Sequence, residues 1–338
     1  MFDENIMMLS RTRPLFFLLF FSTQASPVAS QPENENTPEE QQLAHDDEGA
    51  EPSYTTVVVG SRVPDSSLPL PRAASDTPRE ALLAQPGATI GELLSSTLGI
   101  NNQTTNRGAS APIIRGHIGP GNLIVFDGVR FNTGTFRTGP NQYLNLFDPY
   151  SLSSIEILRG TGGVLYGSDT MGGVFHLKPL ALRYNQGFSL VGLSRYQTAD
   201  NSETSALSLS YSGPRWSIEG GPSLSWFNTL RTGEGALAPA SDYNQYSGHL
   251  QMGFLPRPET EVQFKLFSTS VLGAGRADQL YRSNFRSYDN HNLLGYFRLD
   301  HLGSYETDIG TVERTIVSTV SANYLAEDQT RNQCALEE

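Results

Sequence analysis

The stretch from Ser151 to Pro179 constrains the fold of this chain more than any other part of the sequence. It contains two short apolar runs, 155–158 and 173–177, and six glycines fall between residues 160 and 173. β-Branched and aromatic residues favour strands, and glycines at this density allow positive φ angles and close backbone approach. The pattern predicts two strands joined by a tight turn, with Arg159 at the end of the first strand.

Two further motifs lie upstream of this stretch. Residues 88–100 are expected to form a short helix, because apolar side chains recur at helical spacing. They share one face of that helix: Ile90, Leu93, Leu94 and Leu98. Residues 112–131 contain one apolar run that ends in Ile114-Arg115-Gly116 and a second that ends in Asp127-Gly128-Val129. These two runs predict two more strands.

In this order, and over about ninety residues, the three motifs resemble the plug domain of TonB-dependent outer-membrane receptors. One of the motifs alone would be a weak signal, whereas three in sequence are specific. The resemblance implies an α+β plug domain over residues 61–179, called the plug below, followed by antiparallel transmembrane β-barrel strands. It also implies a transporter rather than an enzyme, with no cofactor.

From about residue 187 the sequence changes to a weak apolar–polar alternation with a period of two. About seven segments show it, each near the roughly ten residues of a tilted membrane strand. They lie at 188–197, 206–211, 215–227, 243–255, 260–270, 287–303 and 313–325. Aromatic side chains cluster near their ends, as at a membrane interface. We assign residues 187–326 to the first strands of a β-barrel and leave 327–338 as an unassigned tail.

The number of strands predicts an incomplete barrel. A barrel of about 8 strands is filled by its own side chains, whereas barrels that hold a plug have about 22 strands. Seven strands therefore cannot enclose a domain of roughly 120 residues, whose radius of gyration is about 14 Å. We expect the chain to be the N-terminal part of a larger receptor or a truncated product.

The N-terminal region is typical of an exported protein. Two arginines, Arg11 and Arg13, precede the apolar run 15–21, and small residues follow it, which is the pattern of a signal peptide over residues 1–30. The run is far shorter than the roughly 20 residues of a membrane-spanning helix. Residues 31–53 are acidic, without Lys or Arg, and are expected to form a disordered arm.

A short hydrophobic segment follows the arm at residues 54–60. In the family that the plug resembles, such a segment binds the energising protein TonB, and Thr56, Val57, Val58, Val59 and Gly60 match that box. A β-branched run on a flexible arm can add as a strand to an exposed sheet edge. The alternative is that Val57 to Val59 form the first strand of the plug.

The resemblance also implies two sets of contact residues. The polar and aromatic segment 132–150 belongs near the ligand-facing apices of the plug, so Phe136, Arg137, Asn141, Gln142 and Tyr143 are candidates for ligand contact, with an ordinary surface loop as the alternative. In this family, arginines such as Arg115 and Arg159 face glutamates of the barrel. Glu156, expected on the same face of the strand as Arg159, is a nearer candidate partner. A buried guanidinium must be paired, because an unpaired one is costly.

The function expected from the resemblance is energised uptake of a scarce nutrient, such as an iron chelate or haem, across the outer membrane of a Gram-negative bacterium. The expected partners are a TonB-type protein, outer-membrane lipid and the small ligand; no nucleic acid or metal site is expected. The sequence shows no phosphate loop, dinucleotide fold, hydrolase elbow or paired histidines at zinc spacing. The alternatives are a non-transporting outer-membrane receptor and an inactive truncated product.

Overall fold

The computed structural model describes residues 73–85, 89–134, 136, 143–276, 284–307 and 310–333. The signal peptide, the acidic arm and the TonB box predicted from the sequence lie outside these residues. Among the described helices, none is long and apolar enough to cross a membrane.

The plug is built around a five-stranded sheet with strand order β1-β6-β7-β4-β5. Its strands are β1 (Ala73–Pro78), β4 (Asn122–Phe126), β5 (Val129–Arg130), β6 (Leu152–Arg159) and β7 (Gly173–Pro179). A separate hairpin pairs β2 (Ile100–Asn106) with β3 (Ala109–Ile114). In the described part of the plug, three short α-helices accompany them: α1 (Arg79–Ala84), α2 (Ile90–Leu94) and α3 (Gly163–Tyr166). The mixture of helix and strand confirms the predicted α+β class.

The core of the plug lies mainly on one face of this sheet. Alternate residues of a strand share a face, so Ile155 and Ile157 of β6 both point to this side. They are fully buried there together with Phe175 of β7. Helix α2 packs against the same core through Ile90, Leu93 and Leu94. The sequence prediction for this helix was wrong at Leu98, which lies four residues beyond the helix end and is 87% exposed.

The paired glycines at the start of β7 are required by backbone contact. A Cβ atom at Gly173 would lie 2.3 Å from the carbonyl oxygen of Leu158. At Gly172 it would lie 2.8 Å from the carbonyl oxygen of Ile114. These distances explain why the turn predicted from glycine density closes so tightly against the strands on either side of it.

The second part of the chain is one antiparallel sheet of seven strands in sequence order, called the wall below. Its strands are β8 (Gly187–Gln197), β9 (Ser202–Ser212), β10 (Trp216–Phe227), β11 (Tyr243–Arg257), β12 (Thr260–Gly275), β13 (Asn284–Thr307) and β14 (Gly310–Gln333). The predicted number of strands is confirmed. The boundary at 326 was wrong, because β14 continues to Gln333 and pairs with β13 along its whole length.

The wall has a polar inner face towards the plug and an apolar outer face. In β10 the inward Ser217, Glu219 and Ser225 are buried, whereas the outward Trp216 is 41% exposed. Strands β11, β12 and β13 alternate in the same way. This is the arrangement of a membrane barrel with lipid outside and a polar interior.

The described sheet is open, with β8 and β14 at its two edges. At one end of the wall, adjacent strands are joined by short turns, at 213–215 and 258–259. At the other end, the connection between β10 and β11 is much longer, at 228–242. These are called the short-turn end and the long-loop end. In outer-membrane barrels, short turns face the periplasm and long loops face the outside.

Candidate functional site

The plug is held to the wall by a buried cluster of charges around Asp127. The Asp127 carboxylate accepts hydrogen bonds from Lys265 Nζ at 2.8 Å, from the Tyr296 hydroxyl at 2.5 Å and from Arg298 Nη1 at 3.1 Å. Arg298 also donates through Nε to Asp300 at 2.9 Å. The cluster therefore joins the plug to two wall strands, β12 and β13, near the short-turn end.

Local structure brings each member of the cluster into place. Asp127 occupies the turn between β4 and β5 in a left-handed conformation, with φ of 47°. Asp and Asn tolerate this region better than other residues with a side chain. Tyr296, Arg298 and Asp300 are alternate residues of β13, so all three point inward, and Lys265 is inward on the neighbouring strand β12.

The charges around Asp127 determine its ionisation. Burial alone would raise the pKa of this carboxyl, but Lys265 and Arg298 and the hydrogen bonds from Lys265 and Tyr296 outweigh burial and lower the pKa below its ordinary value. Asp127 is therefore a carboxylate at neutral pH. Only 13% of its side chain is exposed, compared with 7% for Lys265 and 5% for Arg298.

A second ion pair joins the plug to the wall at the long-loop end. Arg107, in the turn between β2 and β3, pairs with Asp200, in the turn between β8 and β9, and both side chains are buried. The Arg107 guanidinium also lies 5.2 Å from the centre of the Phe227 ring, and Nη1 donates to the Asn228 carbonyl. The tip of the β2–β3 hairpin is thereby fixed to the ends of the wall strands.

Apolar and backbone contacts complete the attachment to β12 and β13. The rings of Phe126 and Phe267 meet edge to face, with centroids 4.6 Å apart. Asn292 of β13 donates to the carbonyl of Leu146 at 3.1 Å. Gly108 lies so close to this part of the wall that an added Cβ would be 3.0 Å from the Ala274 side chain.

A third polar contact involves Asp148. This plug residue faces the inner side of wall strands β10 and β11. Its carboxylate accepts from the backbone N–H of Tyr150 at 3.2 Å. Ser223 of the wall lines the same crevice as Asp148. Burial raises the pKa of this carboxyl to about 6, although the Tyr150 N–H, His249 and Arg79 oppose the shift. His249 itself contacts Glu219 at 2.8 Å.

The predicted plug–barrel residues Arg115, Glu156 and Arg159 lie elsewhere. Glu156 contacts His176 and Lys178 of β7 and is not the partner of Arg159. The two residues are three positions apart on one strand and therefore point to opposite faces of the sheet. Their proposed pairing was wrong.

Arg159 Nη2 donates to Ser75 at 3.0 Å, and its buried Nε has no hydrogen-bond acceptor among the described residues. Arg115 is exposed and lies close to Gly160, where an added Cβ would be 2.7 Å from Nη1. No described carboxylate forms an ion pair with either arginine. That they face glutamates of a barrel wall stays a prediction.

The predicted ligand-contact residues divide into two groups. Arg137, Asn141 and Gln142 lie outside the described residues. Phe136 and Tyr143 are buried in the plug core, where their rings stack with centroids 3.9 Å apart. Both rings serve core packing in this structure, and ligand contact by this segment stays a prediction.

The residues that attach the plug to the wall were missed by the sequence predictions. Asp127 was recognised only as part of a D-G-V motif. The available signal was charge at inward positions of alternating strands, such as Lys265 on β12 and Arg298 and Asp300 on β13. That signal identifies candidate cations, but only the fold shows that they share one carboxylate.

Comparison with known proteins agrees with this architecture. Residues 68–174 match the family model described as the TonB-dependent receptor plug domain. The chain is 27% identical over 203 residues to the Heme/hemopexin utilization protein C of Haemophilus influenzae, an alignment that covers 58% of this chain and 27% of that protein. It is 32% identical over 81 residues to the vitamin B12 transporter BtuB of Vibrio vulnificus, covering 24% and 13%.

The fold is also found among solved structures. The copper transporter OprC superimposes with a TM-score of 0.61 at 14% identity, covering 75% of this chain and 37% of that one. The chain thus spans about a quarter or less of the length of the two curated relatives and just over a third of this structure. Residues 68–174 therefore match the plug domain of TonB-dependent receptors, and the plug and the seven strands that follow share the fold of the solved transporter.

Proposed function

We propose that this chain forms the plug and first wall strands of an outer-membrane transporter that takes up a scarce nutrient, such as haem or an iron chelate, with energy supplied through TonB. The observation that carries the proposal is the plug attached by buried ion pairs to the polar face of a sheet whose other face is apolar. Such a sheet suits a membrane barrel, and the plug would occupy its interior. A passage blocked in this way needs an energy source to open.

The relatives support the ligand class without fixing the ligand. One is named for haem and hemopexin utilisation, one for vitamin B12 and one for copper. Haem and iron chelates are proposed here because the longest curated match, over 203 residues, is to the heme/hemopexin protein. The role is transport rather than catalysis. Among the described residues, no group of three His, Cys, Asp or Glu side chains could hold a metal ion.

The test uses the gene in its own host. A deletion strain is supplied with the wild-type gene, with Val58→Pro or with the control Val58→Ile, and uptake of haem, a ferric siderophore, cobalamin and copper is measured. Proline removes a backbone N–H donor that a strand pairing with TonB requires, whereas isoleucine keeps the donor and the strand preference.

We expect the deletion to abolish uptake of one probe, and Val58→Ile to restore it. Val58→Pro should bind that probe at the cell surface without importing it. Normal import by Val58→Pro would contradict the TonB-box assignment. A deletion that changes the uptake of none of the four probes would contradict transport of these ligand classes and favour a non-transporting receptor.

A further inference from the structure

Three arginines form a row across the inner face of the wall at its long-loop end. Arg286 on β13 lies directly opposite Arg331 on β14, and the backbone N–H of Arg276, just after β12, donates to the carbonyl of Arg286 at 2.8 Å. Tyr288, two residues along β13 from Arg286, is buried on the inner face. Because alternate residues of a strand share a face, as do residues opposite each other on neighbouring strands, all three arginines lie on this face. They are called the arginine row below.

This row places like charges next to each other. Like charges directly opposite on adjacent strands are destabilising. Arg286 has an arginine on both sides, so neither adjacent strand places a carboxylate opposite it. Arg331 donates to Gln329, and among the described residues no ion pair involves Arg286 or Arg331. The buried Nε of Arg286 has no hydrogen-bond acceptor in the described part of the chain. A buried donor of this kind is costly unless something else accepts from it.

The carboxylates of this region are on the other face or farther away. Asp289 and Asp328 lie opposite each other, and both are adjacent in sequence to inward positions, so they point outward. On the described parts of β13 and β14, the nearest inward carboxylate to the row is Glu327, four residues or about 13 Å along the strand from Arg331. The inner face at this end is therefore positively charged, although the whole chain has a net charge of −12.

The arginine row begins where the contacts of the plug end. Gly108 of the plug lies close to the Ala274 side chain, and Ala274 is opposite Tyr288. Arg286 is the next inward position on β13, about 7 Å farther towards the long loops. The row therefore borders the space beyond the plug, on the side that faces the outside in outer-membrane barrels.

We infer that the arginine row binds the carboxylates of an anionic ligand, such as the propionate groups of haem. The inference rests on the proposed transport function and adds the charge of the ligand and the residues that recognise it. A guanidinium group binds a carboxylate through two parallel, charge-assisted hydrogen bonds. A carboxylate between Arg286 and Arg331 supplies the acceptor that Nε of Arg286 lacks and offsets the repulsion between the two side chains. A bare copper ion would be repelled from the same surface.

Haem and its dimethyl ester test the inference, because the ester keeps the iron porphyrin but has no free carboxylate. The deletion strain is supplied with the wild-type gene, Arg286→Gln, Arg331→Gln or Arg286→Lys, and lysine keeps the charge without the planar fork of arginine. Binding of each porphyrin to the cell surface is titrated in the presence of a protonophore, so that import does not contribute. Arg231→Gln is the control, because it removes an exposed arginine from the long loop at the same end of the wall.

We expect Arg286→Gln and Arg331→Gln to weaken haem binding by about tenfold or more, and Arg286→Lys to weaken it less. Arg231→Gln should bind haem normally, and every variant should bind the ester as the wild type does. Heat-modifiable migration on a gel checks folding. Removing one of several neighbouring like charges should leave the temperature of that transition unchanged or raised.

Equal binding of haem and its dimethyl ester by wild-type cells, or normal haem binding by both glutamine variants, would overturn the inference while haem import by the wild type still stands. A lowered transition temperature of Arg286→Gln with unchanged binding of both porphyrins would also overturn it, and would assign Arg286 to an ion pair within the receptor. Wild-type cells that bind haem but do not import it would contradict the proposed transport and leave the binding site intact.

Discussion

The carboxylate of Asp127 in the plug and the ammonium group of Lys265 in the wall lie 2.8 Å apart, although 138 residues separate them in the sequence. Arg298 and Tyr296 bind the same carboxylate, so one plug side chain carries three contacts to the wall. Replacing it changes the attachment of the plug without changing the core of either part.

Asp127→Asn should lower the stability of the docked plug by about 3–5 kcal/mol, because Lys265 loses its carboxylate in a buried position. Asparagine tolerates the left-handed backbone that Asp127 adopts. Unfolding of the plug by urea, measured in the membrane-inserted receptor, gives the change.

Asp169→Asn is the matched control for this substitution. Asp169 is also left-handed, with φ of 65°, but its ion pair with Arg130 is about one-third exposed. Its replacement should cost less than about 1 kcal/mol. Equal losses in the two variants would show that the cluster around Asp127 does not hold the plug.

Asp148 should make the docked plug less stable as the pH rises through its native pKa. Burial raises that pKa from 3.8 to about 6, so between these values the folded state binds the proton more tightly than the unfolded state. Stability therefore falls as the pH rises from about 4 to about 6, by roughly 3 kcal/mol for a shift of about two pKa units.

Asp148→Asn should remove this loss, because asparagine keeps an oxygen that can accept from the Tyr150 N–H but carries no titratable proton. Urea unfolding of the two proteins at about pH 4.5, 6 and 7.5 gives the difference in stability. We expect Asp148→Asn to become more stable relative to the wild type as the pH rises across this range. Parallel pH profiles would rule out Asp148 as the group responsible.

The lowered pKa of Asp127 acts in the opposite sense and in a lower range. Its contribution is present above the unfolded pKa near ~3.9 and is lost as the pH falls through the native value. Comparing the stability of the wild type with that of Asp127→Asn below about pH 4 measures this contribution of Asp127. We expect the stability difference between them to shrink there, and a difference that stays constant would contradict the assignment.

Gly173→Ala should destabilise the plug, because the added methyl group would lie 2.3 Å from the backbone oxygen of Leu158. Overpacking of this kind costs about 1–3 kcal/mol, and a backbone atom cannot turn away as a side chain can. Gly163→Ala is the control, since the nearest atom to its added Cβ is 3.8 Å away and the residue begins helix α3. The stability of the Gly163→Ala variant should be unchanged or raised by up to about 1 kcal/mol. Thermal unfolding that ranks the two variants in reverse order would refute the close-contact explanation.

The open edge at β14 should make the 338-residue chain self-associate when it is produced alone. Val320 and Tyr324 on the outer face of this strand are 73% and 63% exposed, and an unpaired, apolar edge strand is a template for other chains. Val320→Lys should reduce association, measured by light scattering in detergent, because a charged residue discourages edge pairing. Ser318→Lys, which adds the same charge on the same face without removing an apolar side chain, separates the two effects. A wild-type chain that stays monomeric would refute this prediction.

The sequence by itself determined the class and order of the structure. Glycine density between residues 160 and 173 predicted a turn closed by backbone contact, and the period-two alternation after residue 187 predicted seven strands. Both signals are local, because a strand exposes alternate residues to alternate faces and only glycine fits where two backbones nearly touch. Local signals were enough for the plug, the wall and their order.

Only the tertiary structure decided which residues join the plug to the wall. Arg159 was predicted to reach a wall carboxylate, but the observed plug–wall pairs are Asp127 with Lys265 and Arg298, and Arg107 with Asp200. Leu98 fits a helical face in the sequence, yet the helix ends at Leu94. Partners separated by 138 and 171 residues leave no periodic trace in the chain, since their meeting depends on how the finished plug seats against the finished sheet.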